Sequence, residues 1–414
     1  MFAPHDRATR ARYLVAEMVV LLFVAILLVV AYRIDPQWIS RHVTLLNLWP
    51  PPDPEAWSSR GRGVLVLLSA LVVLGLRPVL MFVASRWSLA GAVRATVAAL
   101  LAVTVFAVIA ESMVGWTRVH ALKALAVYQE KGDPHPRYGW TWRPSSTLTE
   151  GALGREIHWA FDREGDRVEN EQDEPDPTRP TILFAGESIA LGMGLDHAET
   201  YPALIAARRR VQSVNVAANA YGSDQAYLRL IDAMPRFRRL VATVTLFLPV
   251  QLGRNLHDDR PRLVVGPTGR LELVPAATDF LSRLQARRLL RNELPYLGDA
   301  AIHRTMALTA AILRDTSVQT RAHGATPLFV IPSNGPVRPF DEHPEAWILR
   351  EMFVKQGLPF ILVDIPPDQL LGDSHPGLRG EETIATAILG ALSSAGADRA
   401  APARIGPDPA VNRK

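Results

Sequence analysis

The chain has 414 residues, 48% of them hydrophobic and 21% charged, with a formal net charge of +4 and no cysteine. Lacking cysteine, it holds no disulfide and no thiolate metal site, and its thinly spread basic residues leave no footprint for nucleic acid. So large an apolar share exceeds what a wholly soluble enzyme needs and predicts membrane spans beside a large soluble domain.

Three spans are expected, at about residues 14–32, 64–84 and 95–116, the first an uncleaved signal-anchor. Glu17 interrupts the first, Arg77-Pro78 the second and Glu111 the end of the third, and Arg77 is read as snorkelling toward the nearer interface. Arg7, Arg10 and Arg12 precede the first span, and Arg86 and Arg94 crowd the loop between the second and third. Basic flanks stay in the cytoplasm, so everything after Trp116 faces outward, which in a bacterial inner membrane is the periplasm. Trp38, Trp49, Trp57, Trp87 and Trp116 lie near span ends, as interfacial anchors do.

Residues 117–180 read as a connector: a helical stretch His120–Gln129, a loop with Trp140 and Trp142, short strands at Thr147–Thr149 and Glu156–Phe161, and an acidic linker Glu169–Pro180. The two tryptophans are expected to cover a domain edge; stacking on carbohydrate is the other reading. From Thr181 to Ala395 apolar strands alternate with amphipathic helices, the pattern of a doubly wound parallel α/β sheet. Expected strands are Ile182–Ala185, Val211–Val216, Val241–Leu248, Pro327–Ile331 and Phe360–Val363, with helices at Tyr201–Arg209, Gln225–Met234, Phe280–Leu290, Leu297–His323, Glu345–Gln356 and Glu381–Leu392. A hairpin is predicted around Gly266-Pro-Thr-Gly269, and the Ala/Pro/Arg-rich tail 396–414 is expected to be disordered.

Two strand-end loops carry chemistry. The strand Ile182–Ala185 runs into Gly186-Glu187-Ser188 and then a small-residue helix, which sets a serine at the carboxyl edge of the sheet beside a helix N-terminus. By itself this turn reads more readily as a serine N-cap on an ordinary helix. The second loop, Asp373-Ser374-His375-Pro376, follows the last strand and opens the last helix. A serine nucleophile needs a base in hydrogen-bond reach, and that base needs a carboxylate to fix its tautomer; Ser188, His375 and Asp373 can fill those roles. Among other clusters, His257-Asp258-Asp259 lacks a partner histidine at helical metal-binding spacing, so neither metal nor cofactor is assigned.

With these blocks in this order, residues 138–395 resemble the SGNH (GDSL-type) hydrolase superfamily in a membrane-tethered form. Gly186-Glu187-Ser188 resembles its first block, with Glu where Asp is usual. Asn215 to Gln225 resembles its second, with Ala220 where the oxyanion glycine is expected and Gly222 as the fallback. For the third, counting from the strand end selects Gln251 and the Gly-x-Asn pattern selects Asn255, which is preferred. The resemblance implies a flavodoxin-like doubly wound sheet and a serine esterase or acyl hydrolase whose oxyanion hole uses the Ser188 and Ala220 N–H groups and one of those amides. It also implies an ester-bearing substrate, with location suggesting an O-acyl group on an envelope polysaccharide, removed or transferred. Gly186-x-Ser-x-Ala190 also approaches the nucleophile elbow of an α/β-hydrolase, but that fold takes its acid and histidine from separate loops. The departures at Glu187, Ala220 and the third block keep open a second class, a membrane-anchored binding or assembly module with a decayed site.

Overall fold

The computed structural model describes residues 7–76, 78–79, 82, 86–88, 90–91, 93–101, 133–152, 154–277 and 296–397. Arg77, the third span beyond Leu101, the expected helices His120–Gln129 and Phe280–Leu290, and the tail beyond Ala397 lie outside the described residues. The chain forms two compact units, one from residues up to Thr44 with those from Pro52, the other from Leu45–Pro51 with the later chain.

In the first unit, α1 (Arg7–Arg33) and α2 (Pro54–Leu71), which a π-helical turn Val72–Leu76 continues, give two segments, Arg10–Arg33 and Pro54–Gly75, long and apolar enough to cross a membrane. Helix α2 begins ten residues before the expected Val64, because Asp53 caps it, accepting the Glu55 N–H at 3.0 Å, and Pro54 opens its first turn. Val20, Leu68, Val72 and Leu100 pack together, while Leu14, Met18, Leu22, Leu67 and Leu71 point outward. An apolar surface on both sides of a helix suits hydrocarbon better than water.

The second unit is built on an eight-stranded sheet. Its strands are β1 (Ser146–Ala152), β2 (Arg155–Phe161), β3 (Arg167–Val168), β4 (Thr181–Ala185), β5 (Gln212–Asn215), β6 (Leu240–Leu246), β9 (Thr326–Asn334) and β10 (Phe360–Ile365), with a separate hairpin β7 (Arg262–Val265) and β8 (Leu271–Val274) after β6. The order across the sheet is β10-β9-β6-β4-β5-β3-β2-β1. The five strands β5-β4-β6-β9-β10 are parallel and run 2-1-3-4-5 in chain order, the flavodoxin-like winding. Strand β4 reads TILFA without a polar alternation because both faces are covered: Ile182 and Phe184 enter one apolar cluster, Leu183 and Ala185 another.

Two parts differ from expectation. The lead-in strands are no separate connector: β1, β2 and β3 extend the sheet antiparallel, β3 bridging to β5 at Arg167 and Asn215. And Leu45–Pro51, expected as a loop between spans, belongs to the sheet-bearing unit, where Leu45 and Leu46 are buried. Its two leucines find apolar partners there that an exposed loop would deny them.

Candidate active site

Strands β4 and β6 lie at the point where the winding reverses direction, and ligands of open α/β sheets bind outside the carboxyl ends of strands at such a point. Strand β4 ends in Gly186, whose φ of +153° no side chain adopts comfortably. A Cβ there would also meet Ala190 and Leu246 Cβ atoms at 2.9 Å, so glycine is required for the chain to turn back over β6. The turn starts the short helix α3 (Ser188–Leu191), which Glu187 caps by accepting the Ile189 N–H at 3.3 Å. Ser188 is thereby held with its side chain almost wholly buried.

From the other end of the unit, the loop after β10 brings His375 beside it. His375 Nε2 lies 2.8 Å from Ser188 Oγ, and Asp373 Oδ2 lies 3.1 Å from His375 Nδ1. That second contact has ion-pair distance without the alignment of a hydrogen bond, and Asp373 Oδ1 instead accepts the backbone N–H of His375 at 3.1 Å. Burial pushes the Asp373 carboxyl up, but the His375 ring and backbone N–H pull it further down, leaving it below the usual range. Ser374 between them holds a left-handed φ of 71°, which lets the Asp and the His turn toward each other.

Glu187 makes a contact not anticipated from the motif. Ser188 Oγ donates to its Oε2 at 2.7 Å, and Arg254 Nη1 stands 3.4 Å from the same oxygen. A hydroxyl has one proton, so Glu187 and His375 Nε2 compete for it. While Ser188 donates to Glu187, a hydrogen bond between the hydroxyl and His375 needs a proton on Nε2; with Nε2 bare, the hydroxyl can donate to it instead. Arg254 draws off part of the Glu187 charge and weakens its claim. Burial lowers the Arg254 pKa, against which Glu187 acts. Nothing local in the sequence singles out Arg254 beyond a cation one residue before the expected amide, Asn255.

The expected oxyanion donors separate into two groups. The backbone N–H groups of Ser188 and Ala220 donate no hydrogen bond among the described residues. Ala220 sits at φ 57°, the left-handed region that a glycine fills without strain, so the substitution is tolerated at a cost of about 1 kcal/mol. The lead-in holds this loop: Trp140 Nε1 donates to the Asn219 carbonyl at 3.1 Å, and its ring meets Tyr221 edge-on. Trp142 is buried in a stack with Phe161 and Trp159, so both tryptophans pack on the domain.

Asn255, the preferred third-block donor, is corrected: its Nδ2 donates to Ser223 Oγ at 2.7 Å and to Thr309 Oγ1 at 2.9 Å, leaving no amide hydrogen to spare. Gly222 is likewise engaged, its N–H donating to Gln225 Oε1 at 3.1 Å. Gln251 is buried, its Nε2 only 3.5 Å from the Leu246 carbonyl and its Oε1 without a partner among the described residues. Among the described residues no group of three or more His, Asp or Glu side chains has the geometry to hold a metal ion.

No protein-family model matches the chain, and no curated protein does. Among solved structures it is similar to an acetyl xylan esterase (Est2A) from the rumen bacterium Butyrivibrio proteoclasticus, at 13% identity over 55% of this chain and 66% of that one, TM-score 0.35. It is also similar to a family two carbohydrate esterase from Clostridium thermocellum, solved with cellohexaose, at 12% identity over 56% and 68%, TM-score 0.31. A third likeness is to the psychrotrophic esterase EstA from Pseudoalteromonas sp., at 13% identity over 53% of this chain and all of that one, TM-score 0.30.

Proposed function

We propose that the chain is a membrane-anchored serine esterase of SGNH type. The observation that carries this reading is the 2.8 Å approach of His375 Nε2 to Ser188 Oγ, with Asp373 on the other ring nitrogen, at the carboxyl edge of the sheet. Ser188 Oγ bonds to the acyl carbon while its proton passes to His375 Nε2, and the carbonyl oxygen takes up negative charge against the Ser188 and Ala220 N–H groups. Collapse breaks the ester bond, and His375 returns its proton to the departing alcohol. Water then repeats the sequence on the acyl-serine; a sugar hydroxyl in its place makes the reaction a transfer. A fluorophosphonate probe added to the detergent-solubilised full chain is expected to modify Ser188, read by peptide mass. Equal labelling of the parent and Ser188→Ala would overturn the proposal and favour a membrane-anchored binding module.

The substrate we assign is an O-acyl ester on an envelope glycan, met on the outer side of the membrane. Support comes from Arg7, Arg10 and Arg12 before the first apolar helix and Arg86 and Arg94 near the loop after the second, which set the cytoplasmic side. A phosphatase reporter fused after Lys414 is expected to be active only when exported, and one inserted at Ser88 is expected to stay inactive. The reverse pattern removes the envelope substrate together with the orientation.

A further inference from the structure

The third block sends a cation toward the nucleophile in place of an amide. Asn255 turns away to Ser223 and Thr309, while Arg254, at the end of the short helix Val250–Arg254, turns in. Its Nη1 carries two hydrogens and has a partner for each: Glu187 Oε2 at 3.4 Å and the Tyr221 carbonyl at 3.1 Å. Glu187 directly precedes Ser188, and Tyr221 directly follows Ala220. One nitrogen therefore ties together the two stretches of chain that carry the N–H donors of the proposed oxyanion hole.

The helix that presents Arg254 is itself held. Arg260 Nη2 donates to the Arg254 carbonyl at 2.8 Å while the same guanidinium pairs with Asp224 at 3.1 Å, and Arg260 and Asp224 are both buried. At the preceding residue Gly253 leaves room for the Leu46 carbonyl, which a Cβ would meet at 2.2 Å.

The loop that Arg254 grips needs holding. Ala220 has its left-handed φ of 57°, and the carbonyls on either side of it each accept a side-chain donor, Asn219 from Trp140 Nε1 at 3.1 Å and Tyr221 from Arg254. In a planar trans peptide the N–H points opposite the carbonyl, so a held Asn219 carbonyl aims the Ala220 N–H. Charge adds a second effect. Among the described residues, the charged side chains against the Ser188–His375 pair are the carboxylates of Glu187 and Asp373, and Arg254 is the cation against Glu187. A Glu187 carboxylate without that cation draws the Ser188 proton to itself and favours imidazolium at His375.

We propose that Arg254 is a positioning residue of this site, clamping the Ser188 and Ala220 donors into one hole and offsetting the Glu187 charge so that a neutral His375 receives the serine proton; this rests on the esterase reading above.

The test follows kcat/KM for 4-nitrophenyl acetate against pH on the full chain in detergent. Arg254→Met is expected to lower the plateau by about 10–100-fold. It should also move the acid limb, which reports the base of the free enzyme, up by about 1–2 pH units, because the imidazole then keeps its proton to higher pH. Arg254→Lys returns a cation and should restore the limb. Glu187→Gln should move the limb down, and Glu187→Gln/Arg254→Met should return it close to the parent position. Trp140→Phe loosens the same loop without changing charge, so it should lower the plateau and leave the limb in place. A limb unmoved by Arg254→Met, or moved as far by Trp140→Phe, overturns the proposal. Deuterium exchange at C2 of His375, read by peptide mass, follows the same titration without turnover. An upward shift there in Arg254→Met, with no ester hydrolysed by the parent, sinks the esterase reading and leaves the charge role of Arg254. Hydrolysis by the parent with limb and exchange both indifferent to Arg254 sinks the proposal alone.

Discussion

Alanine at Ser188 or at His375 is expected to lower kcat on 4-nitrophenyl acetate by roughly 10⁶-fold, and the double variant should lose little more than either single one. The non-additivity follows from the geometry. With Nε2 at 2.8 Å from Oγ, every proton transfer that the proposed mechanism gives the imidazole belongs to making or hydrolysing the acyl-serine, so it has nothing left to do once the hydroxyl is gone. The residual rate then belongs to the two backbone N–H donors, which neither substitution touches. Asp373→Ala should cost less, about 10⁴-fold, since Asp373 works through the ring and not on the substrate. Its contact with Nδ1 at 3.1 Å is also off the hydrogen-bond line. Stopped-time assays on the solubilised chain measure all four variants. Ser188→Ala retaining more than about a tenth of the parent rate would remove Ser188 as nucleophile, and multiplicative losses in the double variant would deny that the pair works as a unit.

What could be read from sequence here, and what could not, divides by the range of the physics involved. The turn at Gly186-Glu187-Ser188 is written locally: an apolar run too uniform for a half-exposed strand, then a glycine, then small residues. Asp373 and His375 are legible for the same reason, since an apolar strand and an amphipathic helix bracket them. The parallel winding follows from the alternation of strands and helices, while the flavodoxin-like strand order is only what the resemblance implies. The engagement of Asn255 is not legible because the direction of a side chain from a short helix depends on partners such as Thr309, from a distant helix, which no local pattern names. The place of Leu45 and Leu46 is not legible because two apolar residues in a loop carry no period, and only their burial in one cluster with Phe329 and Phe353 gives them a role. The left-handed backbone of Ala220 lies between these cases: the motif marks the position as glycine-like, but the alanine conceals the conformation.

Arg167→Met is expected to destabilise the sheet-bearing unit by about 1–3 kcal/mol for each buried carbonyl left without a donor. Arg167 is buried, with its guanidinium stacked 4.0 Å over the Trp159 ring. It donates to the carbonyls of Leu191, Gly192 and Leu195, the stretch of chain that leaves the Ser188 helix. Methionine fills the volume over Trp159 and answers none of those oxygens, so the loss should appear as unpaired backbone acceptors in the chain just after the Ser188 helix. Glu381 adds a pH dependence. Burial pushes its carboxyl up to about 8, against the Tyr201 N–H it accepts and the nearby Arg167 cation. A carboxyl whose folded pKa lies above the unfolded value of 4.5 binds its proton more tightly when folded, so its stabilising contribution is complete below about pH 4.5 and is lost as pH rises through about 8. The parent should therefore melt at lower temperature at pH 8 than at pH 5, and Glu381→Gln should flatten that slope. In Arg167→Met, Glu381 loses the cation that opposes its burial, so the decline should run to higher pH than in the parent. Thermal unfolding of the solubilised chain at a series of pH values measures both effects. An Arg167→Met melt within about 1 kcal/mol of the parent would show that water, and not the guanidinium, serves the three carbonyls.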